Sequence, residues 1–216
     1  MTISAANFHE LCDTLAEKDT DLQNIIEAYG YPPLWSRPNH FESLVHIVLE
    51  QQVSLASALA TLNKLRERIG TIEPATLLPL SDEELKNCYV SRQKASYLKD
   101  LAAALLEGRL DLEGLACLPD EEVRKTLTAF RGIGNWTVDV YLMFVLQRPD
   151  LFPFGDLAAV NSLKRVKRCE PGTTTEALMQ ITEGWRPLRT VATMILWHHY
   201  LSAPLKRRTT KLQTNF

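Results

Sequence analysis

The sequence predicts an all-α protein built as two helical lobes. Three observations carry this: apolar residues recur at three- and four-residue spacing along nearly the whole chain, no stretch alternates in the manner of a strand, and helix start and stop signals follow one another closely. The 216 residues are 45% hydrophobic and 23% charged, with nine glycines and eleven prolines. Such a chain can bury a full core, and disordered, collagen-like and low-complexity readings fall away.

An N-terminal helical pair comes first, and the Pro-containing segment from Tyr31 to Pro38 marks its boundary. Asn39 with Glu42 is expected to box the start of FESLVHIVLEQQ, and Ser54 to cap LASALATLNKLRERI, which Gly70 ends. Ser81 with Glu84 opens a short helix, and Ser91 opens a longer one, RQKASYLKDLAAALLE, ending at Gly108. After Pro119, DEEVRKTLTAF runs into a tight turn at Arg131, Gly132, Ile133 and Gly134, and NWTVDVYLMFVLQ forms the second arm of a helix, hairpin, helix unit. Pro149, Pro153 and Gly155 mark an irregular connection before Asp156, a cap for LAAVNSLKRVKR. Thr173 with Glu176 boxes the next helix, and Pro187 suits the first turn of LRTVATMILWHHYLSA. The expected division is residues 1–38 packing with the C-terminal lobe, 39–130 as a central bundle, and 131–216 as hairpin, connecting loop and C-terminal lobe, with a cleft between the lobes.

No apolar run approaches the roughly 18 residues of a membrane span, and the first residues turn acidic before a signal-like core forms. A soluble, cytoplasmic protein with no membrane partner is expected. The four cysteines lie far apart with no CxxC pair, so local spacing offers no metal or cluster site. His198 and His199 are adjacent and point to different sides of a helix, which excludes an i, i+4 chelate.

The net charge of −2 is unevenly spread: residues 160–216 carry +7 and the first 159 carry −9. A polyanion would meet Lys164, Arg165, Lys167, Arg168, Arg186, Arg189 and the Lys206, Arg207, Arg208, Lys211 tail first, although basic tails are often only solvated. The hairpin points the same way. Gly132 and Gly134 leave the N–H groups opening the helix at Asn135 bare, a nest that attracts phosphate, although an ordinary interhelical loop reads alike.

The segment LTAFRGIGNWTVDVYLMFVLQRPDLFPFGDLAAV resembles the helix-hairpin-helix DNA glycosylase superfamily, and Asp156, twenty-two residues after Gly134, falls where its 3-methyladenine DNA glycosylase II branch has a catalytic aspartate. FESLVHIVLEQQVSLASALATL, SRQKASYLKDLAAALLEG and WRPLRTVATMILWHHY are similar to that branch too, so the resemblance spans residues 41 to about 200. It implies a glycosylase that removes alkylated purines, of the 3-methyladenine and 7-methylguanine type, from double-stranded DNA to start base excision repair, near the nucleoid in a bacterium or in the nucleus of a eukaryote. Monomeric action without a cofactor is expected. Breaking an N-glycosidic bond builds positive charge on the sugar, and a carboxylate at a helix start is suited to stabilise it.

The resemblance also implies roles for other residues. Relatives that cut the strand carry a lysine where this chain has Trp136, so simple hydrolysis is expected. Trp136 and Trp197 match pocket aromatics that would stack a cationic base, with Tyr141 as a neighbour and Gln51 on the helix leading toward the pocket; Trp197 could equally be core. Gly132, Ile133, Gly134, Asn135 and Thr137 would face DNA at the hairpin, where a monovalent cation can sit between carbonyls and a phosphate. Lys164 and Arg165 would add contacts from the basic helix. Arg92 falls nearest the residue that fills the gap left by a flipped base, with Tyr89 as its rival, because CYVS stands where relatives more often have glycine, an apolar residue and serine. Glu50 replaces a usual small residue and faces either the pocket or solvent. Asp139 either supports the hairpin or is solvated. A glycosylase for oxidised or deaminated bases and a non-catalytic DNA-binding module share the scaffold.

Overall fold

The structure, a computed structural model, describes residues 2–203. The Lys206, Arg207, Arg208 and Lys211 tail lies outside the described residues. Among them are thirteen helices and no strand: α1 (Phe8–Lys18), α2 (Thr20–Tyr29), α3 (Phe41–Glu50), α4 (Leu55–Ile69), α5 (Pro74–Leu77), α6 (Asp82–Asn87), α7 (Arg92–Leu106), α8 (Leu112–Cys117), α9 (Asp120–Thr128), α10 (Asn135–Phe144), α11 (Leu157–Val166), α12 (Thr175–Glu183) and α13 (Arg189–Ser202). No helix among the described residues is long and apolar enough to cross a membrane.

Short polar side chains set most of the starts. Ser54, Ser81, Ser91, Asp111, Asp156 and Thr174 each accept a backbone N–H of the first turn, and Ser81 with Glu84 forms the full reciprocal box. Three starts differ from expectation. His40, not Asn39, precedes α3, because the Asn39 side chain is committed elsewhere: its amide donates to Leu112 O and its carbonyl accepts Tyr141 Oη, both at 2.6 Å. Thr173 bonds back to Glu170 O and leaves the cap of α12 to Thr174. Pro187 lies before Leu188, the residue preceding α13, and not in its first turn.

Two apolar cores result. The first gathers α3 to α10, from Phe41 to Val145; the second gathers both chain ends, Ile3 to Ile25 with Phe152 to Leu196. The hairpin and α10 therefore belong to the central bundle, unlike the division at residue 130 that the sequence suggests. Ile133, Val138, Tyr141 and Leu142 supply the apolar face that puts them there. Phe144, at the end of α10, packs against both cores.

Charge fastens the chain ends together. Lys167 Nζ, at the close of α11, donates to both Asp19 oxygens at 2.6 and 2.7 Å and to Asp21 at 2.8 Å, and Trp185 Nε1 adds a bond to Asp19 at 2.6 Å. Burial pushes the Asp19 carboxyl up, yet the Lys167 and Trp185 bonds and the Lys167 charge outweigh it and hold the group below the ordinary carboxylate range. A depressed folded-state pKa gives stabilisation that is complete above about pH 4 and is lost as pH falls through the folded value. Melting temperatures from pH 6 down to pH 3 should therefore drop more steeply for the wild type than for Asp19→Asn, which keeps the α2 cap; parallel curves would contradict the assignment.

Candidate active site

Asp156 stands at the mouth of α11. Its Oδ1 accepts the Ala159 N–H at 2.8 Å as the helix cap and Trp197 Nε1 at 3.0 Å, while Oδ2 accepts Trp136 Nε1 at 2.9 Å. A carboxylate has about four lone-pair sites, so Oδ1 is filled and Oδ2 keeps one open. The two indoles come from different lobes. Trp136 packs on the first core and Trp197 on the second.

Asp156 and Trp136 line a cleft of about 910 Å³ between the lobes, with Gln51, Tyr89, Lys94, Gly134 and Tyr200 among its other walls. A separate concavity of about 980 Å³, under Arg37, His46 and Leu112, has no part in this site, because Asp156 and the hairpin are absent from its lining. Trp197 does not line the cleft. It sits behind the carboxylate, edge-on to Trp35 and Phe144 with ring centres 6.2 and 5.3 Å away, and Tyr200, one turn further along α13, is the aromatic that α13 presents to the cleft. Tyr141 is likewise no pocket residue. It is fully buried in the first core, where burial pushes its hydroxyl up and the Asn39 bond only partly offsets this.

The hairpin is braced from behind. Gln51 Nε2 donates to Gly132 O and to Thr137 Oγ1, both at 2.9 Å, so both amide hydrogens serve the hairpin and none is left for a base. Lys94 Nζ, in α7, holds the end of α3 through Leu49 O at 2.7 Å and Gln51 O at 2.8 Å. Burial lowers the Lys94 pKa. Nothing in the sequence pattern marks Lys94, since its partners are backbone carbonyls 43 and 45 residues away. On the other arm, Arg124 spans Asn135 Oδ1 at 3.3 Å and Asp139 Oδ1 at 2.6 Å; Asp139 thus supports the hairpin, its carboxyl raised by burial against the opposing pull of Arg124.

What the hairpin shows to solvent is backbone. Ile133 and Thr137 are buried, whereas Gly134 and Asn135 are exposed, and no side chain among the described residues caps the bare N–H groups opening α10. The two glycines have different reasons. Gly132 has φ +84° and a Cβ there would fall 2.1 Å from the Tyr97 ring; Gly134 has ordinary extended backbone and open space, so its small size matters for what approaches from outside. Gly132 O already accepts the Gln51 amide, so a cation at the hairpin would have to share that oxygen. No group of three or more His, Cys, Asp or Glu that could hold a metal ion gathers among the described residues.

Several basic residues are accounted for by ion pairs. Lys167 holds Asp19 and Asp21, and Arg186 and Arg189 hold Asp150 and Glu183. Lys164, half-buried, and Arg165, exposed, stand in the last turn of α11 and form no ion pair among the described residues. Arg92 is exposed but does not line the cleft. Tyr89, 68% exposed with φ +66°, does. Glu50 faces neither pocket nor solvent: it is buried against Arg37.

Fold and site together define an all-α, two-lobed protein with a doubly held carboxylate at the edge of an inter-lobe cleft, beside a hairpin that presents bare backbone N–H groups. Residues 45–187 match the HhH-GPD superfamily base excision DNA repair protein family, and the chain belongs to it. A putative DNA-3-methyladenine glycosylase, YfjP of Bacillus subtilis, is 29% identical over 82% of this chain, which spans 65% of that relative. The crystal structure of a DNA-3-methyladenine glycosidase from Bacillus halodurans is 31% identical with TM-score 0.75, covering 89% of both chains. The Schizosaccharomyces pombe 3-methyladenine DNA glycosylase Mag1, in complex with abasic DNA, is 27% identical with TM-score 0.81, covering 90% of this chain and 98% of its own.

Gly132→Ala should cost about 2–4 kcal/mol in urea unfolding, from a left-handed backbone together with overpacking on Tyr97. Gly134→Ala, with room for the methyl, should unfold like the wild type.

Proposed function

We propose that Asp156 drives the hydrolytic release of N-methylated purines, 3-methyladenine and 7-methylguanine in class, from duplex DNA. The protein is an alkylbase DNA glycosylase of base excision repair and acts on double-stranded DNA. What supports the assignment of Asp156 is its double indole clamp: Trp136 and Trp197 fix both oxygens at the edge of the cleft and leave one lone pair of Oδ2 free.

The chemistry follows from that geometry. As the C1′–N bond breaks, its electron pair leaves with the base and the deoxyribose gains positive charge, which a fixed carboxylate stabilises. A methylated purine is already cationic and departs as a neutral base. Water then bonds to C1′, and the open Oδ2 position can accept its proton. Indole N–H donors, unlike a lysine amine, offer no nucleophile, so the product is an abasic site on an intact strand. Trp136 and Tyr200 supply π faces to the cleft for a cationic base, worth about 0.5–2 kcal/mol each.

The bare N–H groups from Gly134 onward take a backbone phosphate, and Arg165 and Lys164 extend this contact along α11. Tyr89 is the wedge. An exposed aromatic at the cleft, held in a backbone conformation that favours glycine, pays a local strain of about 1–3 kcal/mol, and insertion into the base stack gives that strain a function. The protein works as a monomer in whichever compartment holds the genome.

Asp156→Asn should bind abasic-analogue duplex like the wild type and lose base release from a 7-methylguanine duplex by at least about 100-fold. Alkali-revealed abasic sites measure this; retained excision removes Asp156 from the reaction, and a borohydride-trapped adduct in the wild type would replace hydrolysis by lyase chemistry. Tyr89→Ala should weaken affinity for abasic-analogue duplex by about tenfold, whereas Arg92→Ala should act only through phosphate and show its loss mainly at low salt. The reverse pattern would make Arg92 the wedge.

A further inference from the structure

Glu50, the last residue of α3, is a buried carboxylate, 8% exposed, at one end of a contact chain that stops at Asp156. Its oxygens accept both terminal nitrogens of Arg37, at 3.0 and 2.6 Å, with His46 Nε2 at 3.5 Å. Arg37 lies in the segment that joins α2 to α3, and therefore one lobe to the other. Its backbone N–H donates to Phe144 O at 2.8 Å and its guanidinium lies 5.5 Å above the centre of the Phe144 ring. Phe144 in turn meets Trp197 at 5.3 Å between ring centres, and Trp197 donates to Asp156 Oδ1.

From this chain we propose that Arg37 and Glu50 form a positioning pair that sets the orientation of Trp197, and through it the Asp156 carboxylate, for the reaction assigned above, on which this inference rests. A buried ion pair is weak evidence of a stability role, since replacing one with apolar residues of like volume is often neutral or stabilising. What the forked Arg–carboxylate contact supplies is direction. It fixes the guanidinium plane, the plane fixes the Phe144 ring by cation–π contact, and the ring fixes the edge on which the Trp197 indole rests. The location fits this role. Phe144 packs on both cores and Arg37 is carried by the inter-lobe segment, so the pair registers the lobe bearing Trp197 and Asp156 against the lobe bearing Trp136. Neither residue lines the cleft, so both act through Trp197 and not on the DNA.

The test is the double variant Arg37→Met with Glu50→Leu in the full chain, which removes both charges and leaves none unpaired. Single-turnover release of 7-methylguanine should fall about 10- to 100-fold per DNA-competent protein, as misplacement of a reacting group by up to about 1 Å does, while affinity for a tetrahydrofuran abasic-analogue duplex stays that of the wild type. In protein labelled with ¹⁵N at its four tryptophans, the Trp197 Nε1–H signal, assigned with Trp197→Phe, should shift and exchange faster with solvent, and the Trp185 signal should not move. If the double variant does not fold, Glu50→Gln carries the same two measurements. Wild-type single-turnover rates, or an unmoved and still protected Trp197 signal, overturn the positioning role. A wild type that releases no methylated base while the Trp197 signal responds as expected overturns the assigned reaction and leaves the positioning pair standing.

Discussion

One carboxylate holding two indoles is the constraint around which the molecule is arranged. Trp136 and Trp197 belong to different cores, and both reach Asp156 within 3.0 Å. An ionised acid at the edge of an apolar interior is costly unless its oxygens are satisfied, and charge-assisted donors are about twice as strong as neutral pairs. The same bonds that make the acid tolerable therefore tie the lobes together at the cleft and leave the acid little freedom to turn. An indole N–H suits both ends of this task, because it is a donor on a large apolar body that the core can grip.

The hairpin follows similar logic with neutral groups. Its outward backbone is bare, so its rigidity has to come from inside the protein. Gln51 spends both amide hydrogens there, Tyr97 fills the space under Gly132, and Lys94 fastens the end of α3 that carries Gln51. Lys94 places a cation at a helix C-terminus, where the carbonyl dipoles favour it, and no carboxylate among the described residues neutralises it. Its charge thus remains at the wall of the cleft.

Much of this was legible in the sequence, and the limit was range. Helix starts read correctly where a serine or aspartate bonds to a backbone N–H three residues on, as at Ser54, Ser81, Ser91 and Asp156. Asn39 looked the same and behaves differently, because its partners are Leu112 and Tyr141, 73 and 102 residues away. Trp197 was readable as either core or pocket; it is half-buried behind the carboxylate, and no periodicity could show that its N–H turns back 41 residues to Asp156. Charge composition overstated the basic third of the chain for the same reason. Lys167, Arg186 and Arg189 count as cations in a sequence but are ion-paired in the fold, with Asp19, Asp21, Asp150 and Glu183.

Backbone strain completes the picture. Among the described residues, four other than glycine adopt positive φ: Gln52, Tyr89, Gln147 and Arg168. Gln52 and Tyr89 both border the cleft, from the loop after α3 and the turn before α7. Gln147 closes the end of α10, where its amide gathers the carbonyls of Trp35, Met143 and Phe144 at the junction of the lobes. Strain of this kind persists only where the surroundings over-determine it. At Gln147 the surroundings are three acceptors and a lobe boundary, which is reason enough. At Tyr89 the left-handed residue closes α6, with its own N–H on Lys86 O at 2.9 Å and the Val90 N–H reaching back to Leu85 O at 3.0 Å, so the helix end holds the backbone while the exposed side chain is turned to the cleft.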